Sequence, residues 1–468
     1  MKSNKIYLVI FFALLNFPIC IGQWQTIFSN SGYYFSSVRF LNQDTGIVTT
    51  GPFGTYNGCI LRTIDGGNAW QIVDSGYLYV SDMEFVNDSI GFVVGGKAYG
   101  FGYRGIIIKT IDAGVTWNEI WNGISDTIGS MNSIQFTSKD TGYIYAEGDA
   151  ILKTVDGGLT WNKMYITNLF NPSFQKLFFA TNTVGYIFSN TSGTVYYKTT
   201  DGGNSWNSYS YQGSITDVYF HDPDTGVIMT GIYLYKTFDG GLSWTPISDT
   251  IANIMRFKDH NVGLSANGAT IYMTANGGFD WHQQLDTSGS IQDFSFVDSC
   301  TIFAVGNSII LRTDNGGIPT PTINLIGSDS LVSSEIGDSY FWYRNDTAIS
   351  VHTPYLIPTT SGNYKVVVLF AGCSSAPSTD YYFNVSSVNE INNGSFKVYP
   401  NPSNGEINIT SHSEISRIEI FNSIGHRIYL SEVSNVELSL QLESGLYFII
   451  CYDFSQRILA RKKIIVHR

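Results

Sequence analysis

A short glycine-bearing element returns seven times between residues 62 and 317, and no other feature constrains the fold as much. The first copy reads Arg62-Thr63-Ile64-Asp65-Gly66-Gly67-Asn68-Ala69-Trp70 and the second Lys109-Thr110-Ile111-Asp112-Ala113-Gly114-Val115-Thr116-Trp117. Later copies carry Asp156, Gly158 and Trp161, then Asp201, Gly203 and Trp206, then Asp239, Gly241 and Trp244, then Asn276, Gly278 and Trp281. The seventh, Asn315-Gly316-Gly317, has no Trp. A second element, an apolar-x-Phe run and a turn, precedes each copy at Phe40, Phe85, Phe136, Phe179, Phe220, Phe257 and Phe296; the first six have a matching glycine. The second glycine of the first element recurs every 37 to 47 residues, the length of four short strands. Such units cannot bury their own faces, so they are expected to close into a seven-bladed β-propeller over residues 23–317.

The turn chemistry supports that reading. Asp or Asn at the start of a hairpin turn accepts hydrogen bonds from N–H groups just ahead, and Gly supplies the positive φ. The Trp then buries against the turn. The missing seventh Trp has a substitute in Trp24, because Trp24-Gln25-Thr26-Ile27 resembles the continuation Trp70-Gln71-Ile72-Val73. The first strand should therefore complete the last blade.

Composition agrees with an all-β chain: 15% aromatic, 14% charged, 47 Gly against 12 Pro. A formal net charge of −12 argues against nucleic acid or an anionic membrane as partner. Residues 1–22 read as a signal peptide, with Lys2 and Lys5 ahead of an apolar run that Asn16 and Pro18 interrupt, so no membrane span is expected in the mature chain. The cysteines beyond it, Cys59, Cys300, Cys373 and Cys451, show neither metal-ligand spacing nor a legible disulfide framework, and are expected as small buried hydrophobes.

Four copies, Thr110–Trp117, Thr154–Trp161, Thr199–Trp206 and Thr237–Trp244, match Ser/Thr-x-Asp-x-Gly-x-Ser/Thr-Trp in full. The chain thus resembles the Asp-box (BNR) family, and is similar in its blades to sialidase-type and photosystem II assembly-factor propellers. That resemblance implies a fold more than an activity.

A sialidase needs three arginines clamping a carboxylate, a Tyr nucleophile with a Glu partner, and a general acid. Arg62 and Arg312 occupy the slot that holds Lys109, Lys153, Lys198 and Lys236 elsewhere, which reads as structural. Arg39, Arg104 and Arg256 remain, without the expected surrounding motif. The recurring Asp residues belong to the turns, and the seven His are scattered, so no catalytic, metal or cofactor-binding residue is expected. Aromatic clusters such as Tyr33-Tyr34-Phe35, Tyr209-Ser210-Tyr211 and Tyr233-Leu234-Tyr235 suit glycan or peptide contacts, but suit blade packing better.

After the linker Ile318-Pro319-Thr320-Pro321-Thr322, residues 318–387 carry Trp342, Ser361-Gly362-Asn363-Tyr364 and an alternating strand, and resemble the short Ig-like modules of Bacteroidetes secreted proteins. Residues 388–468 contain Tyr399-Pro400-Asn401-Pro402 leading to Gly405, a turn at Gly425, a strand through Gly445 and Tyr447, and a tail with Lys463. This set resembles the C-terminal sorting domain of the type IX (Por) secretion system. It implies that machinery as a partner and delivery to the cell surface or beyond. The expectation is a β-propeller, an Ig-like β-sandwich and a small β-sandwich sorting domain, binding an extracellular glycan or protein; a glycoside hydrolase and an assembly factor are the alternatives.

Overall fold

The computed structural model describes residues 24–467 apart from 52–57, 100–101, 122–128, 147–149, 166–173, 190–194, 211–214, 231–232, 250–251, 328, 385–395, 412–414, 424–425, 433–435 and 455–457. Residues 1–22, Gly425 and Tyr211 lie outside the described residues. Among the described residues every element is a strand, and no helix is long and apolar enough to cross a membrane.

Strands alternate into seven antiparallel blades. The second strand of a blade is buried at every position in Gly46–Gly51, Gly142–Ala146 and Gly226–Thr230, because neighbouring blades cover both its faces. Strand Gln25–Phe40 belongs to two blades. Its start pairs with Ile302–Thr313, Gln25 opposite Arg312 and Thr26 opposite Leu311. Its end pairs with Gly46–Gly51, Val38 opposite Val48. It is the outer strand of blade 7 and the inner strand of blade 1, so blades 7 and 1 form one six-stranded sheet.

The apolar-x-Phe element has a steric cause. Each Phe ring lies on the glycine that starts the next strand: a Cβ at Gly46, Gly91, Gly142, Gly185, Gly226 or Gly263 would come within 2.4–2.7 Å of Phe40, Phe85, Phe136, Phe179, Phe220 or Phe257. Only glycine leaves room for the ring.

The Arg/Lys slot ties each blade to the next. Arg62 Nε donates to the Ala113 carbonyl (2.9 Å), and Lys109, Lys153, Lys198 and Lys236 Nζ donate to the carbonyls of Gly157, Gly202, Gly240 and Gly277 (2.9, 2.8, 2.7 and 3.1 Å). Arg312 closes the ring onto the Gly66 carbonyl at 3.3 Å. Between blades 6 and 7 the slot holds Met273. There the next module takes over: the Cys373 side chain lies 3.3 Å from a Cβ built on Gly316, and Phe370 and Cys373 join Met273, Trp24 and Ile318 in one core.

Cysteine usage corrects the expectation. Cys300 and Cys373, 73 residues apart in sequence, form a disulfide joining blade 7 to the following module. Their spacing hides the bond because the partners meet only when two folded units dock. Cys59 and Cys451 are free and buried, as small hydrophobes.

Residues 323–383 form two facing sheets. One holds Ile323–Ile326, Ser330–Ser333 and Tyr355–Leu356; the other is built on Ser339–Arg344 and Gly362–Phe370, with Thr347–Ile349 at its edge. Trp342 is fully buried between them, its Nε1 donating to the Thr353 carbonyl at 2.9 Å. Residues 396–466 form a three-stranded and a four-stranded sheet around Ile407, Ile409, Ile418, Ile420, Ile449 and Cys451. Arg461 reaches Asp329 of the preceding module at 3.5 Å.

Candidate functional site

The recurring Asp-Gly-Gly turns are built alike, around a threonine. Thr63, Thr110, Thr154, Thr199 and Thr237 each donate through Oγ1 to Oδ1 of Asp65, Asp112, Asp156, Asp201 and Asp239 at 2.8 Å. The same hydroxyls accept from the N–H of Gly67, Gly114, Gly158, Gly203 and Gly241. Each Asp Oδ1 also accepts a backbone N–H four residues on, at 2.9 Å. Asn276 takes the Asp place in blade 6, accepting from Thr274 and Asp280. Both glycines have positive φ in nearly every copy; Ala113 is the exception in residue type and still sits at φ 60°. Trp70, Trp117, Trp206 and Trp281 return Nε1–H to the carbonyl of the second glycine at 3.0–3.2 Å.

These carboxylates are fully used by their own turns. Asp156 is held down at about 2 by the Thr160 hydroxyl and N–H and by Thr154, and Asp201 and Asp239 sit at about 2 through Ser205 and Ser243 in the same places. Among the described residues no cluster of three or more His, Cys, Asp or Glu is placed to hold a metal ion.

The inner strands carry a different set. Asp82, Asp217 and Asp293 each stand three residues before a repeat Phe, in blades 2, 5 and 7. Each accepts the backbone N–H of the next blade's inner strand: Ile134 on Asp82 (3.0 Å), Met255 on Asp217 (2.8 Å) and Val38 on Asp293 (3.1 Å). Gln135 bonds both N–H and carbonyl of Phe179 in blade 4 (2.7 and 2.9 Å). Charges then alternate around the ring. Lys176 of blade 4 pairs with Asp217 (3.2 Å), Asp217 with Arg256 (3.5 Å), Arg256 with Asp293 (2.9 Å) and Asp293 with Arg39 (3.4 Å). Both aspartates are 2% exposed, whereas Lys176, Arg256 and Arg39 keep 32%, 30% and 26% of their side chains open.

Glu84 of blade 2 stands on the same inner strand as Asp82, two residues on. Burial raises its carboxyl to about 7 against the opposing pull of Arg39, with Asp82 raising it and Arg256 lowering it. The inner strands of neighbouring blades lie against one another all around the ring, which gathers the groups they carry toward its axis. Among the described residues Arg39 donates through one NH2 group, to the Val38 carbonyl and Asp293, with its other N–H groups turned to no protein acceptor.

Arg39 and Arg256 therefore meet, but Arg104 does not join them: it stands on the third strand of blade 2 and pairs with Glu119 at 2.9 Å. A three-arginine clamp is not assembled. The aromatic clusters mostly pack, with Phe35 and Tyr77 buried and Tyr209 stacked on Tyr196 at 5.2 Å; Tyr233 remains 44% exposed.

In the last unit the Tyr-Pro-Asn-Pro segment clasps the final strand. Asn401 Nδ2 donates to the Lys463 carbonyl (2.7 Å) and its Oδ1 accepts from Ile465 N–H (3.0 Å). Both Pro400 and Pro402 follow cis peptide bonds, and Gly405 has φ 123° and donates to the Ser403 hydroxyl. Tyr447 is buried beside Gly445, its hydroxyl donating to Glu443.

Residues 397–467 match the secretion system C-terminal sorting domain. Residues 119–214, spanning blades 3 and 4, match the photosynthesis system II assembly factor YCF48 family. This is a propeller with a type IX sorting tail. No curated protein matches it in sequence. Among solved structures the sorting-tail propeller is similar to YCF48 from Cyanidioschyzon merolae (15% identity, 62% of this chain and 98% of that chain, TM-score 0.50). It is equally similar to a YCF48 bound to D1 peptide (18% identity, 62% and 96%, TM-score 0.50). PorZ, a surface component of the type IX secretion system of Porphyromonas gingivalis, is matched at 12% identity over 92% of this chain and 59% of that chain, with a TM-score of 0.44. At these identities the likeness extends to fold alone.

Sequence reading of the sorting-tail propeller missed the axial aspartates. Their signal was present in the register: an acidic residue three positions before the Phe in blades 2, 5 and 7, where blades 1 and 3 carry Ser37 and Ser133.

Proposed function

We propose that the protein is a secreted, non-catalytic binding protein whose propeller takes a glycan or protein ligand at the axial mouth of the ring. The carrying observation is the alternating charged circuit with Arg39, Arg256 and Lys176 half-open above buried aspartates. Their positions are fixed by ion pairs, so binding orders few side chains and costs little entropy. Spare N–H groups on Arg39 suit carbonyl, carboxylate or hydroxyl acceptors, and Glu84, near neutrality, can donate or accept.

Catalysis by a carboxylate pair is disfavoured because Asp82, Asp217 and Asp293 are each tied to a backbone N–H, leaving Glu84 alone. The sorting tail supports export to the cell surface or extracellular space. Within this reading residues 1–22 are a cleaved signal peptide of a Bacteroidetes protein. Residues 23–317, 318–387 and 388–468 are the binding, Ig-like spacer and sorting units. A peptide-bound YCF48 shares the fold, which makes protein segments a natural first probe.

The test is binding of the intact mature chain to a glycan array and to a panel of extended peptides, with Arg39→Gln and Glu84→Gln beside the parent. Loss of the bound probe in both variants, with unchanged melting, supports the axial site. Steady turnover of a chromogenic glycoside that Glu84→Gln abolishes would instead establish a hydrolase.

A further inference from the structure

A cavity of about 360 Å³ opens at one edge of the module that follows the propeller, lined among others by Arg344, Thr347, Ile349, Leu356, Thr360 and Tyr364. That volume lies in the range of roughly 300–1,000 Å³ common for small-ligand sites. The cavity falls where the two sheets part. Among the described residues Thr347–Ile349 is the last strand of one sheet, paired with Ser339–Arg344, and Tyr355–Leu356 is the last strand of the other, paired with Ser330–Ser333. Two short sheet edges thus border one apolar floor, with the Ile349 carbonyl turned to Val351 N–H and the Tyr355 carbonyl to the Thr353 hydroxyl.

Arg344 is set in place on this rim. Its stem lies over Gly362, where an added Cβ would stand 2.9 Å from Arg344 Cγ, and its guanidinium donates to the Thr360 hydroxyl. Among the described residues no acidic side chain pairs with it. Neighbouring Lys365, by contrast, is neutralised by Asp346 and Asp380 at 2.8 and 3.5 Å. In a chain of net charge −12, a fixed and unpaired guanidinium at a cavity mouth is suited to an external carboxylate, which it can hold with two parallel N–H bonds.

The floor decides what accompanies that carboxylate. Leu356 is buried, Ile349 and Val351 are partly so, and Tyr364 is only 2% exposed with its hydroxyl donating to the Thr360 carbonyl. The one aromatic ring among the described lining residues therefore offers no face on which a sugar could stack, and an aliphatic side chain fits better. We propose that this cavity binds the C-terminal residue of an extended polypeptide, its aliphatic side chain on Ile349 and Leu356 and its terminal carboxylate on Arg344. The site is independent of the axial one, so either can fail without the other.

The test uses the intact mature chain and a fluorescent hexapeptide ending in Val-Leu, as the free acid and as the C-terminal amide, read by polarisation. The free acid should bind, the amide at least about tenfold more weakly, as should the acid on Arg344→Gln, because one charge-assisted pair is lost. Gly362→Ala, which displaces the Arg344 stem while keeping its charge, should weaken binding too. Unchanged melting of Arg344→Gln keeps the comparison valid; should that variant unfold, the acid-against-amide difference on the parent decides. Equal binding of acid and amide, no binding of either, or displacement by glucuronate with no dependence on the Leu side chain would each overturn the proposal.

Discussion

The indole of Trp24 lies against Gly317, so closely that a Cβ on that glycine would stand 2.3 Å from Trp24 Nε1. The first described residue thereby supplies the Trp that the seventh turn lacks, and the strand that follows it completes the seventh blade. The Trp24 contact is buried with Phe294, Ile318 and Leu311, and strand pairing and the Arg312 bond to Gly66 close the ring beside it.

Removing that closure should be costly. Trp24→Ala is expected to destabilise the propeller by about 3–5 kcal/mol, the usual cost of emptying a buried aromatic site. Trp70→Ala, on a half-buried ring within one blade, should cost less. Urea unfolding followed by circular dichroism measures both, and a loss below about 1 kcal/mol for Trp24→Ala would show that the first strand does not hold the ring.

The disulfide should carry the docking of the second module. Cys300→Ser with Cys373→Ser is expected to lower stability by about 2–4 kcal/mol, given a crosslink spanning 73 residues. Limited proteolysis should then cut near the 318–322 linker sooner than in the parent. Unaltered cleavage would assign the docking to Phe370 and the shared core instead.

Glu84 sets a pH dependence on the neutral side. Its folded value, about 7, exceeds the ordinary 4.5, so between these values the folded state holds a proton that the unfolded chain has lost. Stability should fall as pH rises from about 4.5 to about 7, and Glu84→Gln should flatten that slope. Denaturation midpoints across this range provide the check.

The turns set the acid limit. Asp156, Asp201 and Asp239 are held at about 2 by the hydroxyl and N–H four residues ahead, well below the ordinary 3.8. Their contribution is present above 3.8 and disappears as pH falls toward 2. The triple Asp→Asn variant should lose stability at neutral pH and show a shallower acid transition, read by thermal melting between pH 2 and 5.

Asn401 is expected to secure the final strand. Asn401→Asp replaces the donor to the Lys463 carbonyl with a second acceptor and should cost about 1–3 kcal/mol in the sorting domain. Hydrogen exchange at Ile465, whose N–H the Asn401 side chain accepts, is the direct readout.

Much of this architecture was legible in the chain because it rests on local rules. A turn needing positive φ wants Gly66 and Gly67, a ring lying on a strand start wants Gly46 beneath Phe40, and repetition reveals both. The structural reading of Arg62 and Arg312 was legible likewise, since they share a slot with four lysines that clasp the next blade. The axial circuit was harder to read. Its members are scattered from Arg39 to Asp293, and only the ring brings residues more than two hundred positions apart within 3.4 Å.

The sequence alone determined the number of blades, the turn geometry and the place where the ring closes, because each depends on backbone conformation and packing within one repeat. Tertiary structure alone decided which charges face one another on the axis, that Cys300 finds Cys373, and that Arg344 stands at a cavity mouth with no acidic partner among the described residues. Those facts depend on distances between units, and distance along the chain carries no record of them.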